Sequence, residues 1–187
     1  MKLFHTLIAA SMILFGSAHA ASPSDSIYQL NSHLTDQSAK PIGLNVYAGH
    51  PVLVSMFYAD CPNACPLLIE AIRATEAALP AKQRDQLRVL LISLDSENDT
   101  PESLNALATQ RHVDLKRWSL AHGDETTIRR IAAVLHIQYR KLPDGGFNHS
   151  SVITLLDNNG VMVKQTSMLA KADPEMVASV GAAMTQR

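Results

Sequence analysis

The chain has 187 residues, of which 47% are hydrophobic and 18% charged, a balance that supports one buried core and argues against both a disordered chain and a bundle of membrane spans. Its formal net charge of −1 leaves no cationic excess to neutralise a phosphate backbone, which argues against nucleic acid as a partner. Its 2 cysteines are too few for a disulfide scaffold, so they make a site, a single bridge or filler.

Met1-Lys2 precede a mostly apolar run over residues 3–15, and Ala18-His19-Ala20 supplies a small-x-small cleavage pattern. The expectation is a cleavable signal peptide over residues 1–20 followed by a single domain over 21–187. The apolar run is shorter than the roughly 20 residues of a membrane span, and His5, Thr6 and Ser11 interrupt it. An uncleaved inner-membrane anchor is the alternative. Export places the domain in the periplasm of a bacterium, where disulfides persist and cysteine redox state becomes a variable.

Residues 27–30 and 33–35 read as short strands, joined through the polar turn 36–40 to residues 41–44 as a hairpin at the domain edge. Residues 52–58 are apolar almost without a break, the pattern of a central strand covered on both faces. Pro66 falls at a first helical position. After it Leu67, Leu68, Ala71, Ile72, Thr75 and Leu79 recur at helical spacing up to the stop at Pro80. Residues 87–94 make a second buried strand, and Thr100-Pro101-Glu102 opens a helix to about residue 111. A brief strand at 118–120 precedes a helix starting at Asp124-Glu125, whose apolar stripe is Ile128, Ile131, Ala132 and Leu135. Residues 151–156 and 161–166 alternate as paired strands about Asn159-Gly160, a tight-turn signal. Asp173-Pro174-Glu175 opens a last helix to about residue 184. This order predicts the α/β class, a mixed central sheet with flanking helices and an added N-terminal hairpin, as in thioredoxin-like folds.

Cys61-Pro62-Asn63-Ala64-Cys65-Pro66 sits at a strand-to-helix junction. Cys65 therefore lies beside the unpaired amides of a helix start, where a thiolate is favoured. Residues four apart face the same way on a helix, so both sulfurs can address one small object. Two chemistries suit them. One is a reversible disulfide. The other is capture of a soft ion, since two thiolates and an imidazole suit Cu(I), and the same set with an added oxygen suits Cu(II). Zinc wants four ligands, and there is no second cysteine pair. Burial as two small hydrophobes, or a purely stabilising bridge, are the bland alternatives.

Removing residues 1–20 leaves six histidines. His33, His50, His112, His122 and His136 read as turn, loop or helix-end residues. His149 differs, following the loop 142–148 and preceding a buried strand, although nothing in the spacing links it to Cys65. Met56, Met162, Met168, Met176 and Met184 read as packing residues and Trp118 as a core aromatic. Asp60 reads as a solvated loop acid that opposes thiolate formation at Cys61.

Residues 59–66 after an apolar strand, Asp95-Ser96-Glu97-Asn98-Asp99-Thr100 after the next, and His149-Ser150-Ser151 opening a strand that ends Leu155-Leu156-Asp157 together resemble the Sco/SenC family over about residues 27–184. Ala59 and Ser96 stand where members commonly carry Thr and Pro. The resemblance implies a thioredoxin-like fold and copper held by Cys61, Cys65 and His149. It also implies a metallochaperone that delivers copper to, or prepares, the copper-centre subunit of cytochrome c oxidase or another periplasmic copper or thiol protein. Peripheral contact with a membrane is compatible with that role. The alternative is an enzyme, a thiol-disulfide oxidoreductase using Cys61 and Cys65 as a redox pair, in which His149 is dispensable.

Overall fold

Residues 23–185 are described by the structure, a computed structural model, and the expected signal peptide over residues 1–20 lies outside them. Residues 27–29 form a 3-10 turn where a strand is expected. The Ser26 hydroxyl accepts the Tyr28 N–H, and the Ile27 N–H donates to the Gly160 carbonyl, so a local cap takes the place of a ladder. The expected hairpin forms next, from β1 (Leu34–Asp36) and β2 (Pro41–Ile42), with Leu34 opposite Ile42. The Asp36 carboxylate accepts the Ser38 and Lys40 N–H groups across its turn.

Strand β3 (Val52–Phe57) is buried at all six positions. It leads through a six-residue turn into helix α1 (Ala64–Ala78). That helix starts two residues ahead of Pro66, which therefore sits inside the first turn, where its missing N–H leaves nothing unpaired. A short polar helix, α2 (Ala81–Gln86), follows, then β4 (Arg88–Ser93). Helix α3 (Pro101–Gln110) opens on a capping box in which Thr100 and Ser103 exchange side-chain and backbone bonds. Strand β5 (Trp118–Gly123) and helix α4 (Glu125–Val134) come next, α4 capped by the Asp124 carboxylate on the Thr127 N–H. Two short strands, β6 (Tyr139–Lys141) and β7 (Phe147–His149), form a separate hairpin. Strands β8 (Ile153–Leu156) and β9 (Met162–Thr166) pair antiparallel as expected, and Asp173 caps the final helix α5 (Pro174–Ala183).

The main sheet runs β2-β1-β5-β4-β3-β8-β9. Strands β3, β4 and β5 are parallel, while β1 and β8 join them antiparallel. Alternation along β3 sends Leu53 and Phe57 to one apolar layer, under α1, α3 and α5, and Val52, Val54 and Met56 to the other, under α4. Trp118 and Met176 are core residues, as the sequence suggests, and the Trp118 indole N–H also donates to Glu76 at 3.1 Å. The result is a mixed α/β sheet of thioredoxin-like architecture with the N-terminal hairpin added at the β5 edge.

Candidate functional site

The C-terminal ends of β3 and β4 hold the cysteine turn. The Cys61 N–H donates to the Tyr58 carbonyl at 3.2 Å, closing the turn on the end of β3. Two residues earlier, the Ala59 N–H donates to Asp99 Oδ2 at 2.9 Å, and the Ser93 hydroxyl donates to the same oxygen. Asp99 is buried, and burial pushes its carboxyl above the ordinary range although both donors pull the other way. A carboxylate on the loop after β4 therefore fixes the backbone that presents Cys61.

Both cysteines are free thiols and nearly buried, at 8% and 5% exposed. The Cys65 N–H points at the Cys61 sulfur, 3.4 Å away. Burial alone raises the Cys61 pKa, but the Cys65 thiol and the N–H groups of Cys65, Asn63 and Ala64 outweigh it, and the net shift is downward. Cys65 goes the opposite way, raised by burial and by donating its proton to Cys61. This corrects the expectation that the thiolate resides at Cys65. Cys65 occupies the first turn of α1, yet it is the Cys61 sulfur that lies in front of the free amides and receives them.

His149 ends strand β7, opposite Tyr139, rather than ending a loop. Its Nδ1 lies 3.3 Å from the Ser150 carbonyl, which can only accept. Nδ1 therefore carries the proton and Nε2 keeps its lone pair. Burial lowers the imidazole pKa further than that hydrogen bond raises it, so the ring is neutral at neutral pH.

Cys61 and His149 line one cavity of about 860 Å³, together with Tyr58, Asp60, Asp95 and Asp144. Cys65 lies beneath Cys61, outside that lining. The Tyr58 ring stands beside the histidine, its centroid 6.3 Å from that of His149 and 5.3 Å from that of Phe147. Among the described residues, no three His, Cys, Asp or Glu side chains are close enough together to hold a metal ion as they stand. The structure thus brings the two sulfurs together and sets His149 across the same cavity.

The other histidines stay away from this cavity. His112 and His136 take left-handed backbone conformations, φ 50 and 54, directly after the ends of α3 and α4. His50 Nδ1 is 3.1 Å from the Gln86 carbonyl. None of the five methionines named above lines the cavity, and Asp60 is exposed on its rim. Sequence reasoning missed Tyr58, Asp95 and Asp99 as site residues, and it missed the hairpin that carries His149. Asp144-Gly145 was a readable signal for the hairpin, since Gly145 takes φ 89 at its tip.

The family model described as SCO1/SenC matches residues 21–185. A protein of Stutzerimonas stutzeri named as copper-binding is 32% identical over 71 residues, covering 38% of this chain and 35% of that protein, so this match spans about a third of that relative's length. The SCO1 protein homolog of Bacillus subtilis (strain 168) is 24% identical over 132 residues, 69% of this chain and 68% of the relative. Among solved structures, ScoI of Bradyrhizobium japonicum with copper bound is similar with a TM-score of 0.65 at 25% identity, over 81% of this chain and 96% of that one.

Proposed function

The chain belongs to the SCO1/SenC family, and from that membership we propose that it is an exported copper metallochaperone whose Cys61, Cys65 and His149 hold Cu(I) as cargo. Its recipient is a copper site such as the one in cytochrome c oxidase, which it loads or prepares. The observation that carries this reading is the donor chemistry around the shared cavity. A Cys61 thiol whose pKa is lowered, a second sulfur beside it and a neutral imidazole with its Nε2 free form a soft-to-borderline set that suits Cu(I). Cys61 makes the first bond because its thiol, with its pKa lowered, ionises more readily than that of Cys65. Cys65 must lose its proton to become the second donor, so loading releases a proton, whereas His149 binds without releasing one. Both sulfurs are nearly buried and Cys61 lines the cavity, which favours transfer by ligand exchange with a partner docked at its mouth over loss to solvent.

The proposed address is the periplasm, with residues 1–20 acting as the signal peptide and residues 21–187 as one domain. Among the described residues no helix is long and apolar enough to cross a membrane.

The asymmetry of the cysteines supports a second reading. A Cys61 of lowered pKa lining the cavity, beside a Cys65 of raised pKa, is the arrangement of an attacking and a resolving thiol, so thiol-disulfide exchange with a partner is the competing activity. Cu(I) titration of the reduced protein against a chromogenic chelator separates the two. One-to-one binding weakened by Cys61→Ser, Cys65→Ser and His149→Ala supports the chaperone. Weak binding indifferent to His149→Ala, with disulfide reductase activity intact, supports the oxidoreductase.

A further inference from the structure

The β6–β7 hairpin is a second, two-stranded sheet that shares no ladder with the main one, so something other than strand pairing must set its distance from the cysteines. Tyr58 is the residue placed to do this. It follows the last residue of β3, and its carbonyl accepts the Cys61 N–H at 3.2 Å. Its ring is half-buried, packs against both apolar layers, and meets Phe147 and His149 on one side.

The hairpin's own register explains where the hydroxyl goes. The Ser150 N–H donates to the Gln138 carbonyl at 2.9 Å and the Leu142 N–H to the Gly146 carbonyl at 2.8 Å. Antiparallel pairs alternate between bonded and non-bonded, so Lys141 opposite Phe147 is a non-bonded pair and the Phe147 N–H points out of the hairpin. Burial raises the Tyr58 hydroxyl pKa, with that N–H acting to lower it and the Cys61 sulfur to raise it, which places the hydroxyl between the two. At Gly146 a side chain would begin 3.4 Å from the same hydroxyl oxygen, so the tyrosine lies directly over the tip of β7.

We infer that Tyr58 is a positioning residue, a single side chain that ties the Cys61 turn to the backbone of the His149 hairpin and thereby sets how far His149 stands from the sulfurs. The inference rests on the reading of His149 as a copper donor. Ring and hydroxyl have separable parts in it. The ring supplies the wall against which Phe147 and His149 pack, and the hydroxyl supplies the directional link between Phe147 and Cys61.

Tyr58→Phe keeps the ring and removes the hydroxyl, while Tyr58→Leu removes both; each is made alone and with His149→Ala. In the metal-free reduced protein, Tyr58→Phe is expected to speed amide hydrogen exchange at Phe147 about tenfold, the equivalent of one lost hydrogen bond, with β3 and α1 unchanged. Tyr58→Leu is expected to extend the loss of protection across residues 139–149. Cu(I) affinity, read by competition with a chromogenic chelator, is expected to fall severalfold in Tyr58→Phe but not to fall further when His149→Ala is already present. Unchanged exchange at Phe147 overturns the inference. So does an affinity loss of equal size with and without His149, which would place the effect of Tyr58 on the cysteines alone. If His149→Ala leaves copper affinity unaltered, the ligand reading fails, and hydrogen exchange alone then decides whether Tyr58 holds the hairpin.

Discussion

Two sulfurs four residues apart end up chemically unlike because backbone amides point at one and not at the other. The N–H groups of Asn63, Ala64 and Cys65 favour the Cys61 thiolate, while burial and proton donation hold Cys65 neutral. Alkylation by iodoacetamide, followed by peptide mass against pH, should therefore find Cys61 modified first, with a midpoint below the ordinary 9.0. Cys65 should resist modification throughout, and Cys65→Ala should move the Cys61 midpoint upward by removing a donor. For His149 the sign follows from burial. Its folded pKa lies below the ordinary 6.5, so its contribution to stability is present above 6.5 and is lost as pH falls through the folded value. His149→Gln should accordingly flatten the fall in Tm on acidification below 6.5, and an unchanged fall would contradict the burial of a neutral ring. The pair and its helix-start setting were legible in the sequence. Which sulfur carries the charge was not, because that depends on the direction of three N–H bonds within one turn.

Elements with a strong local signal formed where their residues demand it, and the exceptions have local causes. Thr100-Pro101-Glu102 announced α3, and Thr100 with Ser103 builds the capping box there. Thr100→Ala should lower stability by about 1 kcal/mol, seen as a reduced urea midpoint with an unaltered slope. Strands β6 and β7 have three residues each and read Tyr-Arg-Lys and Phe-Asn-His, too short and too polar to show alternation. Their pairing is nonetheless what places His149 at the cavity. Helix α2 has no buried residue, so it offered no apolar stripe to read. Residues 27–29 carry strand-forming side chains but follow a serine that caps a turn, and the cap prevails.

Across the whole molecule, the proposed copper site depends on a sheet that delivers the ends of β3 and β4 to one place and on a hairpin outside that sheet. The nearly unbroken apolar run of β3 made its central position readable, since both faces are apolar. The meeting of Cys61 with a histidine 88 positions later was not readable from spacing. It depends on the fold returning through α4 and the β6–β7 hairpin to the same cavity. On the other side of α1, buried Glu76 joins that helix to β5 by accepting the Trp118 indole N–H and pairing with Arg117. Burial raises the Glu76 pKa despite both partners, and removing Arg117 raises it further. Its stability contribution is present at acid pH and lost as pH rises through the folded value. Arg117→Ala should thus be more destabilising at pH 7 than at pH 4, by about 3 kcal/mol at the upper end, and equal urea midpoint shifts at the two pH values would contradict that. The central claim is that a buried cysteine pair and a histidine on a separate hairpin close around one copper ion. X-ray absorption at the copper edge of the Cu(I)-loaded protein tests it most directly. The account predicts two sulfurs and one nitrogen around the metal, with the nitrogen lost in His149→Ala; a sulfur-only shell that is the same in both proteins would contradict it.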